Sequence, residues 1–227
     1  MVIITGASKG IGKYLLEEFW KIGETVVGTY NTTFPNTVKN NYLTKVDISN
    51  HSDVENWINK IRKDLKEVIV INCAGTNYNS FAHKADLNQW SQVINVNLIG
   101  TFNVIHELLP IMRNEGYGRI INLSSVVAQT FVPGASAYAA SKAGLWGLTR
   151  SIAVENVKNG ITINNLNLGY FNLGMISEVP SDFQDLLKMK IPAGRFGEPK
   201  NILNAIQLLI ENDYINGSSI DINGGVI

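Results

Sequence analysis

The chain has 227 residues, 45% of them hydrophobic and 17% charged, which is enough apolar content for a buried core and too little charge for a disordered chain. Lysine plus arginine balances aspartate plus glutamate at 19 each, so no global field draws in nucleic acid or an anionic membrane. The longest apolar runs, such as residues 68–71, are too short to span a bilayer, and the single Cys73 excludes an internal disulfide framework.

The first predicted element is a strand over residues 2–5. Met1 leads straight into it rather than into a charged leader with a cleavage site, so a cytoplasmic protein is expected. A glycine-rich turn follows, then an amphipathic helix over about 11–22 that Gly23 stops. Residues 25–30, 42–48 and 68–74 read as the second, third and fourth strands. Between the last two, Val54, Trp57, Ile58, Ile61 and Leu65 recur at helical spacing and predict a helix over 53–65. A long helix is expected from about 87 to 113, with a break near Pro110. A strand at 119–124, a helix at 137–157, a strand at 161–168, a helix at 199–212 and a strand at 218–222 complete the chain. Continuous β-branched runs alternate with helices, without linker or repeat, and predict one α/β domain over 1–227 with a doubly wound parallel sheet of about seven strands.

Two local patterns carry chemistry. Thr5-Gly6-Ala7-Ser8-Lys9-Gly10-Ile11-Gly12 lies between the first strand and first helix. Its glycines let backbone turn tightly and approach a ligand, and the helix N-terminus behind them suits a pyrophosphate. The second pattern is Tyr138 and Lys142, one helical turn apart on one face. An ammonium there favours the ionised phenol and is expected to lower its pKa from about 10, fitting it for proton transfer to a carbonyl. Ser125 lies thirteen residues before Tyr138, and that offset selects it over its neighbour Ser124. His51, His83 and His106 are scattered without a ligand-like pattern, so no metal site is predicted.

Together, and in this order, these segments resemble the short-chain dehydrogenase/reductase family, in a layout close to its 3-oxoacyl-acyl-carrier-protein reductases. The likeness extends through Asn72-Cys73-Ala74-Gly75, Asn95-Val96-Asn97-Leu98, Leu123-Ser124-Ser125, Tyr138-Ala139-Ala140-Ser141-Lys142 and Ile222-Asn223-Gly224-Gly225. It implies a Rossmann-type fold and an NAD(P)-dependent oxidoreductase that reduces a carbonyl by hydride transfer. The family's roles then fall on four residues. Tyr138 gives the carbonyl oxygen a proton, and Lys142 lowers the phenol pKa and holds the nicotinamide ribose. Ser125 orients the carbonyl, and Asn97 holds a water that connects Lys142 to solvent. Cofactor contacts are implied for Gly6, Ser8, Lys9, Gly10, Ile11 and Gly12, for Tyr30 and Asn31 after the second strand, and for Asp47 and Ile48 at the adenine. Asn72, Ala74, Gly75 and Gly169 join Tyr138 and Lys142 along the cleft. Asp47 also reads as a helix cap, and Asn72, Ala74 and Gly75 also read as a tight strand exit.

Residues 27–32 after the second strand contain no acid to repel a 2′-phosphate, and Lys9 supplies positive charge, so NADP(H) is favoured over NAD(H). The chain departs from the family at Leu168 and Leu173, which stand where relatives carry Pro and a nicotinamide-contacting Thr. Residues 170–194 are expected to form a substrate lid whose Phe171, Met175, Ile176, Val179, Phe183 and Leu186 suit an acyl chain, or a lid packed on itself or on a partner subunit. Asn159 stands where some of these reductases carry a basic contact for acyl-carrier protein, with Lys158 adjacent, so that protein is a candidate partner only. The family also implies a homo-oligomer, tetramer or dimer, through the two long helices, with Trp146 and Leu148 as interface or core. The alternative functions are a dehydrogenase of a sugar or other polar alcohol, and a non-catalytic nicotinamide-binding regulator.

Overall fold

Val2, Ile3 and Ile4 are each fully buried, yet neighbouring strand residues point to opposite faces, so the first strand must be covered on both sides. A computed structural model describes residues 1–34, 42–130, 132–174, 176 and 179–227; Met175 of the expected lid lies outside them. In it the first strand, β1 (Val2–Thr5), pairs parallel with β2 (Val26–Tyr30) on one side and β4 (Ile69–Asn72) on the other. With β3 (Leu43–Lys45), β5 (Gly118–Ser125), β6 (Ile161–Leu168) and β7 (Ser219–Ile222), the order is β3-β2-β1-β4-β5-β6-β7, all parallel. The predicted seven-strand sheet is the one observed.

Alternation sorts the core into two layers. Ile3, Val70, Ile120 and Ile163 face α2 (His51–Ile61), α4 (Gly100–Glu115) and α5 (Ser136–Asn156). Val2, Ile4, Ile71, Ile121 and Leu166 face α1 (Gly10–Lys21) and α7 (Pro199–Glu211). Leu148 packs on the first of these layers. The chain reverses its direction of growth after β3, and a crevice therefore opens outside the carboxyl ends of β1 and β4.

Four features differ from the sequence reading, the first three for a local reason. The helix predicted from residue 53 begins at His51, because the Asn50 side chain accepts hydrogen bonds from the N–H groups of Ser52 and Asp53 at 3.0 and 3.4 Å. The third strand is shorter than 42–48, since Asp47 turns back to accept from Ser49 N at 3.0 Å and Ser49 Oγ at 2.6 Å. Asp47 thus makes a turn, while Asn50 is the helix cap. The long helix is not broken at Pro110, which lies inside α4 on its exposed side, where water can satisfy the carbonyl the proline leaves free. Its irregularity comes earlier, as a π turn at Asn95–Ile99 joining α3 (Leu87–Ile94) to α4. Within the expected lid, α6 (Ser181–Lys190) is an additional helix.

Candidate active site

The π turn places the Asn97 side chain, only 1% exposed, between the exit of β4 and the start of α5. Its Oδ1 accepts from Thr76 N at 2.8 Å, and its Nδ2 donates to Thr76 O at 2.9 Å and Ser141 Oγ at 3.0 Å. Both amide donors are therefore used in positioning strand and helix, and the backbone carbonyl accepts from Thr101 Oγ1 at 2.9 Å. Ser141, next to Lys142, and Thr76 were not singled out from sequence. Neither residue type announces itself as an asparagine's partner before the fold is known.

Alternation along β5 gives the two serines different surroundings. Ser124 faces α5, donating to Lys142 O at 3.1 Å and accepting from Trp146 Nε1 at 3.3 Å. Ser125, at the strand end, faces the Tyr138 phenol closely enough to oppose the rise in its pKa, and accepts from Val127 N at 3.2 Å. The Lys142 ammonium lies 5.6 Å from the Tyr138 ring centroid and donates to Leu123 O at 2.7 Å. Ser125, Tyr138 and Lys142 thus converge at the carboxyl edge of the sheet, with Asn97 one residue from Lys142 through Ser141. Trp146 also donates to Asn167 Oδ1 at 3.0 Å, which places its indole N–H inside the α5–sheet packing rather than at an outer surface.

Burial governs the charges here. It pushes the Tyr138 phenol up to about 12, an effect partly offset by the Ser125 side chain, and it pulls Lys142 down to about 8. The expectation of a lowered phenol pKa is therefore corrected for the free chain, where loss of water raises it and the opposing influence comes from Ser125. Near neutrality the pair is a protonated phenol beside an ammonium. Burial raises the Cys73 thiol to about 11, an effect partly offset by the nearby Lys142 ammonium and the Gly12 backbone.

The glycine turn closes on β4. Gly6 has φ +65°, and a Cβ there would lie 2.6 Å from Ala74 Cα; a Cβ on Gly12 would collide with the Gly6 carbonyl oxygen. Thr5 Oγ1 accepts from both Cys73 N and Ala74 N at 3.1 Å, tying the two strand ends together. The first turn of α1 carries no side-chain cap among the described residues and no acidic residue, and it faces a cavity of about 640 Å³. Ser8, Lys9, Gly10, Lys13, Thr33 and Leu173 line that cavity, with Glu17 held 3.8 Å from the Lys13 ammonium. A phosphorylated nucleotide fits this cradle: helix N–H groups and two ammonium groups meet where side chains are excluded. Ile11 is half-buried on the same turn.

The remaining predicted contacts divide. Tyr30 stacks edge-on against Phe34, which lines the cavity, at 5.2 Å between centroids, and Asn31 is exposed beside it. Ile48 is buried against Gly100, and Asn103 Nδ2 donates to its carbonyl at 2.9 Å. Gly75 is open to the cleft, and a Cβ there would lie 3.8 Å from Lys142 Nζ. Asn72 turns into the sheet instead, donating to Asn122 Oδ1 at 2.9 Å. A Cβ on Gly169 would lie 2.7 Å from Asn223 Cα, so this glycine is required by the neighbouring chain end. In the lid, Phe171 is buried against Gly197, and Ile176 clusters with Ile191 and Phe196, while Phe183 and Leu186 remain exposed on α6. Beyond the lid, Gln129 Nε2 donates to Asp221 Oδ1 at 2.7 Å, and Asn167 Nδ2 donates to the same oxygen at 2.8 Å.

A sequence profile of the family described as short chain dehydrogenase matches residues 1–183. The acetoacetyl-CoA reductase of Rhizobium meliloti is 34% identical over 234 residues, covering 99% of this chain and 97% of that protein. The 3-oxoacyl-[acyl-carrier-protein] reductase FabG of Rickettsia bellii is 34% identical over 233 residues, covering 99% of this chain and 95% of that protein. Among solved structures, the ligand-free aldohexose dehydrogenase of Thermoplasma acidophilum superposes with a TM-score of 0.90 at 26% identity, covering 99% of this chain and 93% of that one.

Proposed function

The chain belongs to the short chain dehydrogenase family and is a nicotinamide-dependent oxidoreductase, and from that premise we propose that it reduces the carbonyl of a 3-oxoacyl thioester to a hydroxyl with NADPH. The observation that carries this reading is the convergence of a protonated Tyr138 phenol, the Ser125 hydroxyl and the Lys142 ammonium beside a phosphate cradle. In this reading the bound nicotinamide supplies the hydride. Tyr138 protonates the carbonyl oxygen as negative charge develops on it, and Ser125 donates a second hydrogen bond that holds the oxygen in line. Lys142 stabilises the tyrosinate left behind. Asn97 keeps Lys142 in place through Ser141 and Thr76, a positioning role, since its amide donors are committed.

NADPH is favoured because Lys9 and Lys13 border the cavity and no carboxylate follows β2 to repel a 2′-phosphate. The substrate class is carried by the two reductase relatives, whose names specify acetoacetyl-CoA and 3-oxoacyl-acyl-carrier protein. Residues 1–227 work as one nicotinamide-binding domain. Ile99 at the end of the π turn, Phe102 on α4 and Val154 on α5 are exposed, which supports assembly through these helices. Initial rates of acetoacetyl-CoA reduction with NADPH and with NADH test the proposal. Faster turnover with NADPH is expected, and no turnover with either cofactor would sink it.

One observation favours a second reading. The Gln129–Asp221–Asn167 cluster is polar and lies at the carboxyl edge of the sheet, and the 26%-identical structural relative is an aldohexose dehydrogenase. A polar alcohol would hydrogen-bond there. Oxidation of a hexose panel with NAD+ and NADP+, faster than acetoacetyl-CoA reduction, would select it.

A further inference from the structure

Three side chains from two segments far apart in sequence meet where the start of α2 lies against the middle of α4. His51 opens α2, and His106 and Glu107 lie side by side on α4. One ligand atom from each falls within 4.8 Å of the other two, so two of the three histidines scattered in sequence come together with a carboxylate once folded. We propose that His51, His106 and Glu107 form a binding site for a divalent transition-metal ion of the Zn2+ class.

The geometry favours this over a surface ion pair. His51 Nε2 lies 2.8 Å from Glu107 Oε1, a contact that one hydrogen bond explains. That bond does not explain why His106 Nε2 is turned toward the same oxygen, 3.9 Å away. Adjacent helical residues diverge around the axis, so 106 and 107 approach a common point only because both side chains lean toward His51. The His106 ring is flanked by His51 at 5.7 Å and by Phe102, one turn earlier, at 5.9 Å between centroids. The Glu107 side chain is the least exposed of the three, 17% against 49% and 59%, and forms the floor beneath the two imidazoles. With metal–ligand bonds of about 2.0–2.2 Å, tetrahedral ligand atoms stand about 3.3–3.5 Å apart. The two separations to Glu107 bracket that spacing, so small side-chain rotations suffice. Two imidazoles and a carboxylate leave a fourth position for water. Coordination would clamp the start of α2 to α4, near the Asn103–Ile48 hydrogen bond that ties the segment before α2 to α4.

Calorimetric titration of the chelator-treated full chain with ZnCl2, paired with thermal melts, tests the site. One equivalent should bind per chain, and the melting midpoint should rise with added Zn2+. His51→Ala, His106→Ala and Glu107→Gln should each weaken binding by at least about tenfold, while His83→Ala leaves it unchanged. If His51→Ala loosens the start of α2, His106→Gln on the exposed face of α4 serves in its place. Absence of saturable binding, or stoichiometric binding that survives all three substitutions, overturns the proposal.

Discussion

Burial moves the two ionisable side chains of the cleft in opposite directions, and that sets the pH behaviour expected of the enzyme. In the proposed mechanism reduction needs Tyr138 protonated and Lys142 charged, and both conditions are lost as pH rises. Tyr138 keeps its proton up to about pH 12, whereas Lys142 loses its charge near pH 8. The lower value governs, so kcat/KM for reduction should hold steady below pH 8 and fall above it, since this ratio reports the free enzyme. An alkaline limb appearing only above pH 10 would show that the lysine charge is not required. The Tyr–Lys spacing was legible in the sequence because helical periodicity alone places the pair on one face. The direction of the phenol shift was not, because desolvation depends on what the rest of the fold packs around the ring.

At the scale of elements, the cleft depends on how β4, α4 and α5 are held together, and Asn97 does this with three hydrogen bonds. Asn97→Ala leaves the Thr76 N–H and carbonyl without those partners and should destabilise the chain by about 2–4 kcal/mol, measured by urea unfolding. A loss of a few tenths of a kcal/mol would mean that the π turn holds its shape unaided. Glycine turns and β-branched runs were readable before folding because each reflects a local backbone demand. Gly6 and Gly12 are cases in point, since a side chain at either meets neighbouring backbone. The π turn, the Asn50 cap and α6 were not read. The first depends on packing between α3, α4 and α5, while Asn50 stands four residues ahead of Val54, where the apolar repeat begins. In α6, Phe183, Leu186 and Met189 stay exposed, so no buried stripe marked that helix. His51 and His106 met only because the sheet order brings α2 beside α4, which no spacing in the chain encodes.

At the scale of the whole molecule, seven parallel strands bring the glycine turn, the Ser125 strand end and the Tyr138 helix to one edge, and the outer faces of α4 and α5 each expose a large apolar side chain. Phe102 is 43% exposed and Val154 81%, a cost that self-association would relieve. Light scattering should therefore find an oligomer, and Phe102→Glu should shift it toward monomer; a monomeric parent protein would refute assembly through these helices. The central claim remains proton transfer at Tyr138, and Tyr138→Phe tests it most directly because the ring is retained and only the hydroxyl is removed. NADPH binding, followed by cofactor fluorescence, should be unchanged while kcat for acetoacetyl-CoA reduction falls by about 10²-fold or more. A variant that binds NADPH and turns over at the parent rate would contradict the account.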